Sequence, residues 1–444
     1  MRIVIVTEQY LPMLGGVATV TVNLSQDLAA AGHQVWVVAP SQGNYSEEGM
    51  QGPVHVHRFA SFEWPTYDGQ RIAFPPVAPL HRLLRDVRPD IVHIHSPIVL
   101  GNLAQLLASR MRVPVVATNH YMPINMSRTL STDPLLGKSF EAIAYSYLVG
   151  FYNRCDFVTA PTATALGLLK QHGLRVSSRS ISNGIDLREF TPRARDEALR
   201  RRLGLPSDRP LVLYLGRLSD EKRVRVLLDA MAQLRLPVHL AIGGSGPARE
   251  ELEAHAVALG MGKRVTFLGR VADDDLVPLY RLADVFAMPS VAELQSVATL
   301  EALAVGLPVV AANTGALPEL VHHGANGLLF APDDSADLAA CLQRVISDAS
   351  LRQGMSERAL ETVIPHDRQH IVAEWQRLYT NLAARLRETY ALRRRGSAWR
   401  IEHGVSSHLA HRKPARTPAM AVARGRKGKP RRAPRRSWDT SRPT

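Results

Sequence analysis

The chain has 444 residues, 45% of them apolar and 21% charged, with a formal net charge of +14. That length exceeds one ordinary domain, and no run of 18 uninterrupted apolar residues is present to span a bilayer. The charge is uneven: residues 385–444 hold 18 Lys/Arg against 3 Asp/Glu, leaving 36 against 37 in residues 1–384, a net of −1. Two cysteines, Cys155 and Cys341, exclude a disulfide framework or a cysteine-ligated metal site and read as buried small hydrophobes. With an opening MRIVIVTEQY that reads as a strand and not as a leader, they point to the cytoplasm.

In chain order, short β-branched runs at 2–7, 35–39, 91–95, 113–118 and 156–160 predict strands, with amphipathic helices at 16–31 and 76–88 between the early ones. After a polar, basic stretch around 187–210 the rhythm restarts. Strands are expected at 211–215, 238–242, 264–268, 285–288 and 308–312, and helices at 221–235, 248–259, 293–305 and 335–349. A last amphipathic helix at 367–390 carries Ile371, Trp375, Leu378, Tyr379 and Leu382 on one face. The alternation implies an α/β fold of two doubly wound, Rossmann-like domains facing a central cleft. The expected divisions are 1–185 (acceptor side), 186–365 (nucleotide-sugar side), 366–395 (a helix returning to the first domain) and 396–444 (a disordered basic tail). That tail is rich in Pro, Gly and Arg and poor in aliphatic residues, so it cannot bury enough surface to offset its chain entropy. It could bind anionic headgroups or nucleic acid, or be a solubilising extension.

Ligands in such sheets bind beyond the carboxyl ends of the strands, and the motifs fall there. Gly15 and Gly16 follow the first strand and open a helix, where a bare backbone can approach a phosphate or sugar. The second glycine turn, IGGSGPARE at 242–250, has Arg249 at the third glycine position and no following acid, which excludes a nicotinamide or flavin Rossmann site. Gly137-Lys138-Ser139 ends like a phosphate loop, but Thr132 stands where the first glycine is required. In LYLGRLSDEKR, a strand delivers Gly216, Arg217 and Lys222 into one loop, so a guanidinium and an ammonium can reach one diphosphate; the alternative pairs them with Asp220 or Glu221. Glu293 and Glu301, eight apart around a helix start, can accept from sugar and ribose hydroxyls, while Leu294, Gln295, Ser296 and Val297 present backbone N–H groups between them. The acidic run Asp273-Asp274-Asp275 is read as the first turn of a helix and not as a metal site.

These motifs occur in a recognisable order: GG at 15–16, NGID at 183–186, GRLSDEK at 216–222, GGSGP at 243–247, ADVFAMPS at 283–290, the E-x7-E element at 293–301 and NTGALPELVHHGANGLLF at 313–330. Residues 1 to about 390 thereby resemble the retaining glycosyltransferases of GT-B fold (glycosyl transferases group 1), which include the phosphatidylinositol mannosyltransferases and sucrose synthases. The resemblance implies a nucleotide-sugar donor, GDP-mannose or UDP-glucose, bound mainly by the second domain. It gives Arg217 and Lys222 the leaving diphosphate, Glu293 the donor sugar and Glu301 the ribose. The loop Gly243-Gly244-Ser245-Gly246 and Arg270-Val271 would lie near base and phosphates, Gly16 would approach the diphosphate, and His120 would stand beside the transferred sugar. His95 would shape the pocket and His93 would pack. No covalent nucleophile is evident, so transfer with retention implies same-face attack, with no cofactor and no metal. The acceptor is expected on a membrane lipid or lipid-linked glycan. Arg82, Arg85 and Arg88 around Leu80, Leu83, Leu84 and Val87 suggest peripheral binding to an anionic membrane surface, and the amphipathic segment 122–151, close to His120, suggests entry of a lipid-linked acceptor. The rivals are a sugar-nucleotide epimerase of the same fold and a nucleic-acid-binding protein acting through its tail; nucleic acid ranks last, because it leaves the motif-rich body unexplained.

Overall fold

The computed structural model describes residues 1–13, 15–64, 71–123 and 134–402. In the first half the elements are β1 (Arg2–Val6), α1 (Gly16–Ala30), β2 (Gln34–Pro40), β3 (Glu47–Gln51), β4 (Val54–Phe59), β5 (Ser61–Glu63), β6 (Arg71–Ala73), α2 (Val77–Val87), β7 (Ile91–Ile94), α3 (Val99–Arg110), β8 (Val115–Thr118), α4 (Pro134–Tyr152), β9 (Phe157–Ala160), α5 (Ala163–Gln171) and β10 (Ser178–Ser180). Eight of these strands form one sheet in the order β10-β9-β8-β7-β1-β2-β4-β3, parallel except for the β3–β4 pair, while β5 and β6 make a separate antiparallel ribbon. The strands work outward from β1 to one side and then resume at β7 on the other. The crevice between the carboxyl ends of β1 and β7 is therefore the topological switch point.

The second half holds α6 (Glu197–Arg202), β11 (Leu211–Leu215), α7 (Val224–Gln233), β12 (His239–Gly243), α8 (Arg249–Ala258), β13 (Val265–Gly269), α9 (Asp273–Leu282), β14 (Val285–Met288), α10 (Val297–Ala304), β15 (Val309–Ala312), β16 (Gly327–Phe330), α11 (Ser335–Ser347), α12 (Ala349–Val363) and α13 (Arg368–Glu402). Its six parallel strands run β13-β12-β11-β14-β15-β16, with the switch point between β11 and β14. The chain crosses between the halves twice, and the crossings pair: Ile185 N donates to His366 O and Arg368 N to Ile185 O, both at 2.9 Å. Arg368 also grips Asp27 of α1 through two nitrogens, at 2.9 and 2.7 Å.

Period-two alternation sorts the first sheet's side chains. Val4 and Val6 join the core on one face, with Leu80, Leu84 and Val87 of α2; Ile3 and Ile5 join the other, with Ile371, Trp375, Leu378, Tyr379 and Leu382 of α13. The ridge Leu80, Leu84 and Val87 of α2 is therefore inside the protein, which corrects the expectation that these residues face a membrane surface; Arg82, Arg85 and Arg88 stay exposed, with His81 and Asp86 among them. Likewise Tyr145, Leu148 and Tyr152 of α4 are core, while 124–133 lie outside the described residues. Both cysteines are buried and free.

A further correction concerns the tail. α13 continues to Glu402, past the expected end of the helix and through residues 396–402 of the segment expected to be disordered. Ala, Leu and Arg make up seven of residues 391–402, a single Gly396 costs only about 1 kcal/mol, and no proline intervenes before Pro414. Residues 403–444 lie outside the described residues. Among the described residues, no helix is long and apolar enough to cross a membrane.

Candidate active site

β11 is buried along its whole length and delivers Gly216 and the exposed Arg217 to the second switch point, where Tyr214 Oη donates to Arg217 O at 3.0 Å. A single 3₁₀ turn, Asp220–Lys222, then places the Lys222 ammonium 2.7 Å from Glu293 Oε1, with side-chain exposures of 20% and 9%. The Lys222 ammonium thus meets a carboxylate from the loop after β14. Ser290 Oγ and Val291 N both donate to Glu221 O, tying the two loops together.

The glycine loop after β12 packs directly on this one. Leu218 N donates to Ser245 O at 2.9 Å and Ala248 N to Leu218 O at 3.0 Å. A Cβ on Gly244, whose φ is +132°, would stand 1.8 Å from Gly216 O, and one on Gly246 would stand 2.2 Å from Leu218 O. These glycines permit two loops to touch. Gly243 is closed in by Leu215 and Val271, while Ser245 and Arg270 are exposed at the same strand ends.

Helix α10 begins with Ser296, whose Oγ accepts from Thr299 N at 3.2 Å, and Val297. One turn on, Glu301 Oε2 accepts from Tyr280 Oη of α9 at 2.7 Å, and burial pushes the Glu301 carboxyl up to about 7. Tyr280, fully buried against Phe190 and Phe286, was not anticipated from the sequence. The Gln295 side chain has a role that the sequence did not suggest. Its Oε1 accepts from Asn183 N at 2.8 Å and its Nε2 donates to Ser182 Oγ at 3.0 Å, so its amide serves the crossing between the halves. The Leu294 carbonyl accepts from Thr162 Oγ1 of the first half at 2.7 Å. Asp273, Asp274 and Asp275 form the first turn of α9, and Asp275 pairs with Arg202.

At the first switch point, Gly15 (φ +153°) precedes α1 and Gly16 begins it; a Cβ at either would meet nothing within 4 Å. Among the described residues nothing packs into that helix start, unlike the loop at 243–246. His120, at the end of β8, stacks on His95 with Nε2 2.9 Å from His95 Nδ1. Behind them, His93 lies 2.7 Å from Thr118 Oγ1 and 2.7 Å from Tyr379 Oη. Burial drives all three imidazoles down, His93 to about 3 and His120 to about 4, so the cluster is neutral near pH 7. A small cavity bounded by Asn23, His95, Thr118, His120, Asn183 and Arg368 separates this cluster from the crossing that Gln295 holds. Glu8, just beyond β1, is buried, accepts from Leu100 N at 2.7 Å and has its carboxyl raised by burial to about 8; sequence reasoning gave it no role.

Lys222 and Glu293 thus meet at the second switch point, with Arg217 on the same loop as Lys222 and Glu301 one turn into α10, while Gly16 follows β1 and His120 follows β8 in the first sheet. Comparison with known proteins agrees in both halves. The family described as Glycosyltransferase Family 4 matches residues 14–189, and Glycosyl transferases group 1 matches residues 195–362. A GDP-mannose-dependent alpha-mannosyltransferase of Mycobacterium tuberculosis is 32% identical over 74% of this chain and 83% of its own. An alpha-monoglucosyldiacylglycerol synthase of Streptococcus pneumoniae is 28% identical over 81% and 82%. Among solved structures, sucrose-phosphate synthase from Thermosynechococcus elongatus superposes with a TM-score of 0.73 at 22% identity, covering 86% of this chain and 99% of that one. Fold, motif order and relatives coincide: the chain belongs to the glycosyl transferases group 1 family and is a glycosyltransferase of GT-B fold.

Proposed function

We propose that the protein moves a hexose from GDP-mannose or UDP-glucose, with retention at the anomeric carbon, to a hydroxyl of a membrane lipid or lipid-linked glycan. The observation that carries this is the Lys222–Glu293 pair at the β11/β14 switch point, 2.7 Å apart and largely shielded from solvent. A diphosphate arriving beside Arg217 competes for Lys222. Its capture of the ammonium frees the Glu293 carboxylate to accept hydroxyls of the donor sugar. As the glycosidic bond breaks, negative charge grows on the leaving diphosphate, and cations already placed there stabilise it without reorganisation. Arg217 and Lys222 supply that charge, so the reaction proposed is independent of metal and cofactor. Glu301, anchored by Tyr280, accepts the ribose hydroxyls. Neutral His120 offers a hydrogen bond near the reacting sugar but no charge. Retention then follows from same-face attack by the acceptor, guided by the phosphate.

The lipid acceptor rests on the monoglucosyldiacylglycerol synthase relative and on the basic segment 385–444. On this reading the protein works in the cytoplasm, at the inner face of the membrane. The test is thermal stabilisation by a panel of nucleoside diphosphates and their sugars, since a ligand of the folded state raises apparent stability by mass action. It is followed by transfer assays with EDTA and anomeric analysis of the product. A shift with guanosine or uridine compounds alone, then an α-linked product unaffected by EDTA, is the expected result. No shift at millimolar ligand would sink the donor site.

A further inference from the structure

The segment that carries Glu293 is held from outside its own half. Thr162 Oγ1, at the end of β9, donates to Leu294 O at 2.7 Å, and the Leu294 side chain packs against the first-half core. On the segment's other flank, Ala316 N donates to Glu293 O at 3.2 Å. Three residues later, the Glu319 carboxylate reaches across to the start of α5. Its Oε2 accepts from Ala163 N at 3.0 Å and its Oε1 from Thr164 N at 2.6 Å. Those N–H groups have no partner within their own helix, and the positive helix end favours an anion. Gln295 completes the set by holding Ser182 and Asn183 at the crossing.

We infer that Thr162 and Glu319 are positioning residues for sugar transfer: by gripping the stretches 293–295 and 316–319 from the acceptor-side half, they set where the Glu293 carboxylate stands. This rests on the reading of Glu293 as the donor-sugar contact. Gln295 acts with them through its side-chain amide. Arg217, Lys222, the 243–246 loop and Glu301 all belong to the second half. Most contacts to the nucleoside diphosphate are therefore made without the clasp, Gly16 being the one proposed from the first half, whereas the sugar is placed only when the halves are docked.

The experiment compares Thr162→Val, Glu319→Ala and the double variant with wild type, reading donor kcat/KM, affinity for the nucleoside diphosphate and radius of gyration by X-ray scattering. Thr162 also caps α5 through Ala165 N at 3.1 Å, so Thr162→Ser, which keeps both bonds, is the rescue control. Glu319→Ala removes no buried apolar group. Each single change should lower kcat/KM by about tenfold, the equivalent of one net hydrogen bond. Diphosphate affinity should stay near wild type, Thr162→Ser should restore transfer, and the double variant should expand. A folded double variant with wild-type kcat/KM and unchanged radius would overturn the inference, as would a parallel loss of diphosphate affinity. Expansion of the double variant beside a wild type that transfers nothing would uphold the clasp and count against the proposed reaction.

Discussion

Two glycine loops that look alike in sequence differ in what surrounds them, and that difference makes the donor site testable at single residues. Around Gly16 nothing stands within 4 Å of a built Cβ, whereas at Gly244 the Gly216 carbonyl would lie 1.8 Å away. Gly16→Ala should therefore leave the melting temperature unchanged or raise it, since removing chain freedom at a compatible helical position is worth about 0.4–1 kcal/mol. If a diphosphate approaches that backbone, transfer should nevertheless fall by about tenfold or more. Gly244→Ala should instead cost roughly 3 kcal/mol of stability, through the clash and the positive φ, and melting curves of the two variants separate the cases. Arg217→Ala and Lys222→Ala each remove a charge-assisted interaction, so initial rates should show a loss of about 1.5–3 kcal/mol in kcat/KM. Wild-type rates in Lys222→Ala would leave it only as the structural partner of Glu293.

At the scale of elements, α9 supports α10 through one hydroxyl: Tyr280 Oη holds Glu301 at 2.7 Å and lowers a carboxyl that burial has raised to about 7. A ribose needs the carboxylate form, so nucleotide affinity should weaken as pH falls through about 7. Tyr280→Phe removes the lowering contact and should move that midpoint upward; titration calorimetry at several pH values reads it, and an unmoved midpoint would detach Glu301 from the nucleotide. This pairing was illegible in the sequence, because Tyr280 and Glu301 sit on different helices and look like ordinary core and surface positions. Elements with strong periodicity were legible: β1, β2, β7, β11 and β14 are short, apolar and bounded by turn residues, and α13 shows its buried stripe. Strands β3 and β6 were not, because EEGMQ and RIA have no clean alternation and are fixed by neighbours, whereas β4, VHVHRF, alternates and was overlooked. Helices α3, α5 and α12 escaped notice too; Thr162, capping α5 through its hydroxyl, was the local sign available. The candidate residues Arg217, Lys222 and Glu293 were legible as motifs beyond strand ends, which is where β11 and β14 place them. What could not be read was contact across distance in the chain: Lys222 with Glu293, Gln295 with Asn183, and Glu319 with Thr164.

For the whole molecule, burial of ionisable groups beside the two switch points sets how stability varies with pH. Glu8 keeps its proton to about pH 8 when folded and only to about 4.5 when exposed, and Glu301 behaves likewise up to about 7. Between those values the folded state binds more protons than the unfolded one, so stability falls as pH rises, by up to about 1.4 kcal/mol per pH unit for each such group. His93 and His120 act in the opposite sense. Folded, they stay neutral down to about 3 and 4, so stability is lost as pH drops below the ordinary value of 6.5. The acidic limb therefore belongs to the histidines, partly offset by the two carboxyls, and the limb from about 6.5 to 8 to Glu8, with Glu301 contributing only its lower part. Glu8→Gln keeps an acceptor for Leu100 N and removes the titration. It should leave the acidic limb in place and flatten the fall between pH 7 and 8, as read by denaturant midpoints across that range. A wild type with no decline there, or a Glu8→Gln variant that declines as steeply, would show that Glu8 is already ionised in the folded protein, its charge held by the N–H groups at the start of α3.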